Sequence, residues 1–294
     1  MNEICVHLFG RFCVECSGLP MTGIDGGKPQ ELFCYLLLHR NRPQPREELI
    51  DLLWCGAPAL GCSKRLRQAL WHLNGAMRPY SIAIGCQVVL VEPEWVCINP
   101  SAPLWVDVAV FEQNCNHVQG VPGRALDTLQ VQALCDAVRL YRGDLLEGLY
   151  LDWCLFERER LQNLYLAALD KLIDYAEAHG EYEAAVTYGI QALRYDQARE
   201  CTHRRLMRLH FLAGDRTAAL RQYDQCVEIL RRELAVEPAT STVALYEQIR
   251  RGRLSEPGSL SRTAERLKQI QSMLAKVQSE LEREIRELEG GPGI

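Results

Sequence analysis

Between Asp51 and Glu92 the chain carries no aspartate or glutamate, although it is acidic as a whole, with a formal net charge of -5 over 294 residues. Lys64, Arg65, Arg67 and Arg78 all fall inside that window. Residues 1–100 hold nine Lys/Arg and nine Asp/Glu, so the basicity is local to one segment. Within it, Leu66, Ala69, Leu70, Leu73 and Met77 recur at helical spacing and predict a core stripe over roughly residues 63–78. The opposite face then presents Lys64, Arg67, Gln68, Trp71, His72 and Asn74. Such a helix can approach a line of phosphates without meeting a repelling carboxylate.

The flanking sequence narrows the fold. Residues 4–16 alternate apolar and polar around Gly10 and predict two short antiparallel strands. Asp25-Gly26-Gly27 reads as a turn, and Lys28 to Arg42 as a helix with Leu32, Phe33, Leu36 and Leu37 inward. Pro45 suits the start of a second helix, where the missing amide is no loss, and that helix ends near Trp54. Ser81–Ile84 and Gln87–Val91 are expected to form the two strands of a wing turning at Gly85, with Trp95–Ile98 as a further strand. Helices of this order, the basic one later, followed by a hairpin, outline a winged helix-turn-helix.

From about Asp107 to residue 251 helical periodicity dominates. Gly180-Glu181-Tyr182-Glu183-Ala184-Ala185 is echoed by Gly214-Asp215-Arg216-Thr217-Ala218-Ala219 at an offset of 34, which also pairs Gly189 with Tyr223 and Ala192 with Cys226. That period is the tetratricopeptide one, in which small residues let paired helices approach closely. The helix after Gly214 is expected to run to about Leu234. After a linker, Leu260, Leu267, Leu274, Leu281 and Leu288 recur every seven residues, with Ile270 and Val277 in the alternate slot. This segment reads either as self-associating or as folding back on its own chain. The fold class expected is mainly α. An N-terminal winged helix (residues 1–104) precedes an all-α tetratricopeptide-like domain (105–252) and a linker with a heptad helix (253–294).

Other classes find little support. No apolar stretch suits a signal or a membrane span. The 13 cysteines are odd in number and scattered through periodic segments, so they read as reduced thiols in a cytoplasmic protein. Cys13-Val14-Glu15-Cys16 is a lone CxxC whose thiols would point to opposite faces of a strand, and Cys201-Thr202-His203 is weaker still. Gly26-Gly27-Lys28 ends like a phosphate loop, but Thr22 stands where the first glycine belongs and Pro29 follows the lysine. No catalytic residues, metal or cofactor are expected.

Taken together, several segments resemble bacterial transcriptional activators of the Streptomyces antibiotic regulatory protein type. These join an OmpR-like winged helix to a bacterial transcriptional activator domain. Leu8-Phe9-Gly10-Arg11-Phe12 is similar to the opening strand, and Lys28-Pro29-Gln30-Glu31-Leu32 with Leu36-Leu37-Leu38-His39 to the first helix. Arg46 to Trp54 is similar to the second helix, and Leu66 to Leu73 to the recognition helix. Val106 to Phe111 resembles the junction, while Tyr141 to Leu146 and Trp153 to Leu161 resemble helical signatures. The resemblance covers roughly residues 3–252. Where the family often has arginines late in the recognition helix, this chain has His72, Asn74 and Gly75. The heptad tail lies outside the family pattern.

The resemblance implies double-stranded DNA as a partner, a homo-oligomer, and a helical domain that dimerises the protein or contacts RNA polymerase. It implies no membrane. For the helix at 63–78, Arg67 suits a fork onto guanine and Gln68 a pair with adenine. Lys64, Arg65 and Arg78 are placed as phosphate contacts. His72 and Asn74 either read base edges or are simply exposed. Trp71 reads first as a ring packed under the wing and second as a contact to a thymine methyl. The wing is expected to reach the adjacent backbone. The alternative function is a tetratricopeptide-type interaction module that does not bind DNA.

Overall fold

The computed structural model describes residues 3–54 and 61–254. The heptad segment read from the sequence lies outside them. The described chain is mainly helical, with two small sheets near its N-terminus. It divides into two compact units, residues 1–197 and 198–294.

The first unit opens with β1 (Ile4–His7) and β2 (Cys13–Cys16), paired antiparallel with Ile4 opposite Cys16. Their alternation buries Ile4, Val6, Val14 and Cys16, so the two CxxC thiols face opposite sides of β2. A two-residue strand, β3 (Leu19–Pro20), adds to β2. Next come α1 (Gly27–Leu38), the short β4 (Gln44–Pro45), α2 (Arg46–Leu53) and α3 (Cys62–Ile84). Leu32, Phe33, Leu36, Leu37, Leu49, Leu66, Leu73 and Met77 close the core among these helices. β5 (Val89–Val91) and β6 (Trp95–Ile98) form a hairpin, and β4 pairs with the other edge of β6.

The wing therefore differs from expectation. Residues 81–84 are not a strand but the last turn of α3, which continues through Pro79 and ends at Gly85, a left-handed cap with φ 80°. Proline inside a helix loses a hydrogen bond and crowds the carbonyl four residues back. Here that residue is Gly75, exposed and without a Cβ, where the backbone yields most easily. Beyond it, Tyr80 and Ile84 prolong the Leu73–Met77 stripe and pack on the core. Burial thus carries the helix past its breaker. The wing is built instead from β5 and the strand predicted at residues 95–98.

β7 (Leu104–Val106) returns to pair parallel with β1, giving the sheet order β3-β2-β1-β7. It leads directly into α4 (Asp107–His117). Asp107 is 2% exposed and accepts hydrogen bonds from the amides of Leu8 (2.9 Å), Phe9 (3.0 Å) and Val108 (2.7 Å). Burial pushes its carboxyl above the usual range, against the pull of those three amides. A 3-10 turn (Gly123–Ala125), α5 (Thr128–Leu140), α6 (Asp152–Ala178) and α7 (Tyr182–Tyr195) complete this unit. Asp127 and Gln130 form a reciprocal capping box at the start of α5.

The turn between α5 and α6 is bonded back to the end of β1. Leu146 donates to the Leu8 carbonyl, Gly10 to Asp144, and Glu147 to Gly10, each at 2.8 Å. Arg158 donates to the carbonyls of Leu145, Leu146 and Leu149 and so fixes the turn from the α6 side. Phe9, Phe111, Tyr141, Tyr165 and Tyr195 form a chain of ring contacts, edge-on or tilted except for the stacked pair Tyr141–Tyr165. One apolar core consequently runs from Ile4 to Ala192.

The second unit contains α8 (Glu200–Leu212), α9 (Arg216–Leu234) and α10 (Thr240–Arg250). Its small core includes Met207, Ala219 and Ile249. The residues matched at an offset of 34 occupy like places: Gly180 and Gly214 both take positive φ before α7 and α9, and Ala185, Ala192, Ala219 and Cys226 are all buried. The helix after Gly214 ends at Leu234, as the sequence reading had it.

Candidate nucleic-acid interface

α3 presents its charges because its apolar residues are spaced for burial. Cys62, Leu66, Ala69, Leu70, Leu73 and Met77 point inward. Every residue singled out from the sequence, Lys64, Arg65, Arg67, Gln68, Trp71, His72, Asn74 and Arg78, is exposed. Lys64, Gln68, Trp71, Gly75, Arg78 and Ile82 follow one another at intervals of three or four residues, so they form a single stripe along the helix. Among the described residues no carboxylate pairs with Lys64, Arg65, Arg67 or Arg78. Arg67 makes a long bond, 3.4 Å, from Nε to the Ser63 carbonyl one turn back.

Trp71 departs from its favoured reading. It does not pack under the wing: it is 72% exposed, edge-on to His72 with ring centroids 4.9 Å apart. Its place in the helical period, between the buried Leu70 and Leu73, turns it outward. A large ring left in water at the middle of a basic stripe has something other than the chain's own core to meet.

The hairpin is short and firmly tied. β4 pairs with β6 as far as Pro45 opposite Trp95, the first residue of β6, so both edges of β6 are occupied up to its turn. Arg46 fastens the turn itself: its amide donates to the Glu94 carbonyl and its Nη1 to the Glu92 carbonyl, each at 3.0 Å. The turn, Glu92-Pro93-Glu94, is exposed and carries two carboxylates. From the sequence Glu92 marks only the end of the acid-free window; that it and Glu94 form the wing tip follows from the hairpin.

Where α3 runs past Pro79 it leaves a cleft of about 520 Å³ against residues 85–88, just before β5. Asn74, Arg78, Ser81, Ile82 and Gln87 line it. The strand expected at residues 81–84 concealed this cleft from sequence reasoning.

Residues 106–250 match the family model described as the bacterial transcriptional activator domain. The chain carries such an activator domain. Joined to the winged helix that precedes it, the activator domain gives the build of a transcriptional activator of the Streptomyces antibiotic regulatory protein type, as the sequence motifs implied. Among solved structures, Mycobacterium tuberculosis EmbR in complex with a low-affinity phosphopeptide is similar, with a TM-score of 0.68 at 20% identity. The match covers 90% of this chain and 69% of that one, and at this identity it speaks for the fold of winged helix plus activator domain. No curated protein matches the chain in sequence. No helix among the described residues is long and apolar enough to cross a membrane.

Proposed function

We propose that this chain is a sequence-specific DNA-binding activator that works in the cytoplasm and seats α3 in a major groove. The observation that carries the reading is the outward face of α3: cations with no counter-charge among the described residues, interleaved with Gln68, Asn74 and an exposed tryptophan, in a protein that is otherwise acidic. A B-form major groove is about 12 Å wide and admits one helix. Arg67 forks onto guanine and Gln68 pairs with adenine there. Trp71 lies against a thymine methyl, and Lys64 and Arg65 grip phosphates. His72 and Asn74 face the groove floor or its edge. The activator domain dimerises the protein on repeated half-sites or touches RNA polymerase.

The test is selection of sites from a random duplex library, run on the full chain and on Arg67→Ala/Gln68→Ala. An enriched motif that the double variant loses or alters is expected. A folded wild type that enriches nothing would transfer the function to the helical hairpins as a protein-interaction module.

A further inference from the structure

A winged helix is expected to touch the DNA backbone with its hairpin, and here the hairpin is poorly made for it. Its turn is tied to the start of α2 by Arg46, and it bears Glu92 and Glu94. Two carboxylates laid on a phosphate strand repel it.

The length of α3 offers another place for that strand. From Lys64 to Trp71 the helix advances about 10 Å at 1.5 Å per residue, and because the major groove curves away around the duplex, a straight helix meets base edges over only part of its length, its N-terminal part first. Arg78 lies about 10 Å further along the same stripe, so a helix seated by its first half carries Arg78 past the groove edge. There the cleft opens, with the guanidinium of Arg78, the amides of Asn74 and Gln87 and the hydroxyl of Ser81 as hydrogen-bond donors. No carboxylate lines it. Ile82, 74% exposed, offers an apolar surface beside these donors.

The geometry points to this cleft, and not the hairpin turn, as the seat of a DNA phosphodiester. Resting on the DNA-binding reading above, it assigns the flanking backbone contact to the second half of α3. Arg78 and Gln87 donate to the phosphate oxygens, and Ile82 covers the adjacent deoxyribose.

The test is fluorescence anisotropy of the full chain on a mixed-sequence duplex over a range of salt concentrations. The chain is compared with Arg78→Ala, Gln87→Glu and Glu92→Gln/Glu94→Gln, with circular dichroism to check folding. All four positions are exposed, so the variants are expected to fold. Arg78→Ala should make the slope of log affinity against log salt shallower by about 0.9, one phosphate contact. Gln87→Glu should weaken binding roughly tenfold, since it places a carboxylate on the phosphate. Glu92→Gln/Glu94→Gln should leave the slope unchanged and the affinity within about twofold. The opposite pattern, with the two cleft variants binding like wild type and the hairpin variant binding several-fold tighter, would return the backbone contact to the hairpin while leaving DNA binding intact. A wild type that fails to bind duplex at low salt would instead remove the DNA-binding reading and this assignment together.

Discussion

The starts of α3 and α4 carry charge in opposite ways. Asp107 enters α4 buried, and the chain itself supplies three amides to hold it. Lys64 and Arg65 enter α3 exposed, and no described carboxylate answers them. A charge that the fold satisfies internally belongs to architecture. A row of charges left without partners, on a rigid helix stripped of acids, is completed from outside. Substitutions in the two regions should therefore separate cleanly into those that unfold the protein and those that silence it.

The largest effect should come from the α4 side. Phe111 is fully buried between Phe9 and Tyr141, and Phe111→Ala should cost about 3–5 kcal/mol in denaturant unfolding, shifting the midpoint with little change in slope. Next is Gly123→Ala. An added Cβ would lie 2.5 Å from the Lys171 carbonyl oxygen and 2.5 Å from the Asp174 Cβ, and overpacking against α6 should cost about 1–3 kcal/mol. Asp107→Ala strands the Leu8 and Phe9 amides in the core and should lose about 2–3 kcal/mol, whereas Asp107→Asn retains one acceptor and should lose less. A thermal melt in which Asp107→Ala matches wild type would break the contrast between the two helix starts.

On the α3 side the sign of the outcome reverses. Trp71→Ala should leave thermal stability within about 0.5 kcal/mol, because a mostly exposed ring contributes little to the core. The same change should weaken binding to a selected site. The smallest expected effect is in pH. Burial lowers the pKa of His39, so the folded state prefers the neutral ring. The stability this represents is present above the ordinary histidine pKa and is lost as pH falls through the folded value. Urea unfolding of His39→Gln against wild type, from pH 7 down to pH 5, should show a flatter loss in the variant.

Much of this was legible in the residues because period and burial agree. The stripe Leu66, Ala69, Leu70, Leu73, Met77 fixed both the existence of α3 and the side that faces out, and with it all eight candidate residues. The β1–β2 pairing around Gly10 and the 34-residue offset were readable for the same reason. What escaped were long-range decisions. Pro79 signals a break locally, and only the burial of Tyr80 and Ile84 overrides it. The helical period places Trp71 on the outward face, but whether the wing covers it depends on where the hairpin lies, and the ring is left 72% exposed. β3 is two residues long, and β7 is made a strand by β1, 100 residues earlier (Ile4 opposite Leu104), rather than by its own composition. The cleft at the end of α3 depends on that same continuation through Pro79 and could not be seen before it.

The backbone ladder between residues 8–10 and 144–147 bears on how such proteins can be re-engineered. Exchanging DNA specificity between regulators by cutting at the sequence junction near residue 104 would tear that ladder and leave Phe9 facing water without Phe111 and Tyr141. A working graft would carry residues 1–197 as one cassette. Selection on the winged helix and selection on the first helices of the activator domain are thereby yoked, and drift in either half must be tolerated by a seam the two halves share.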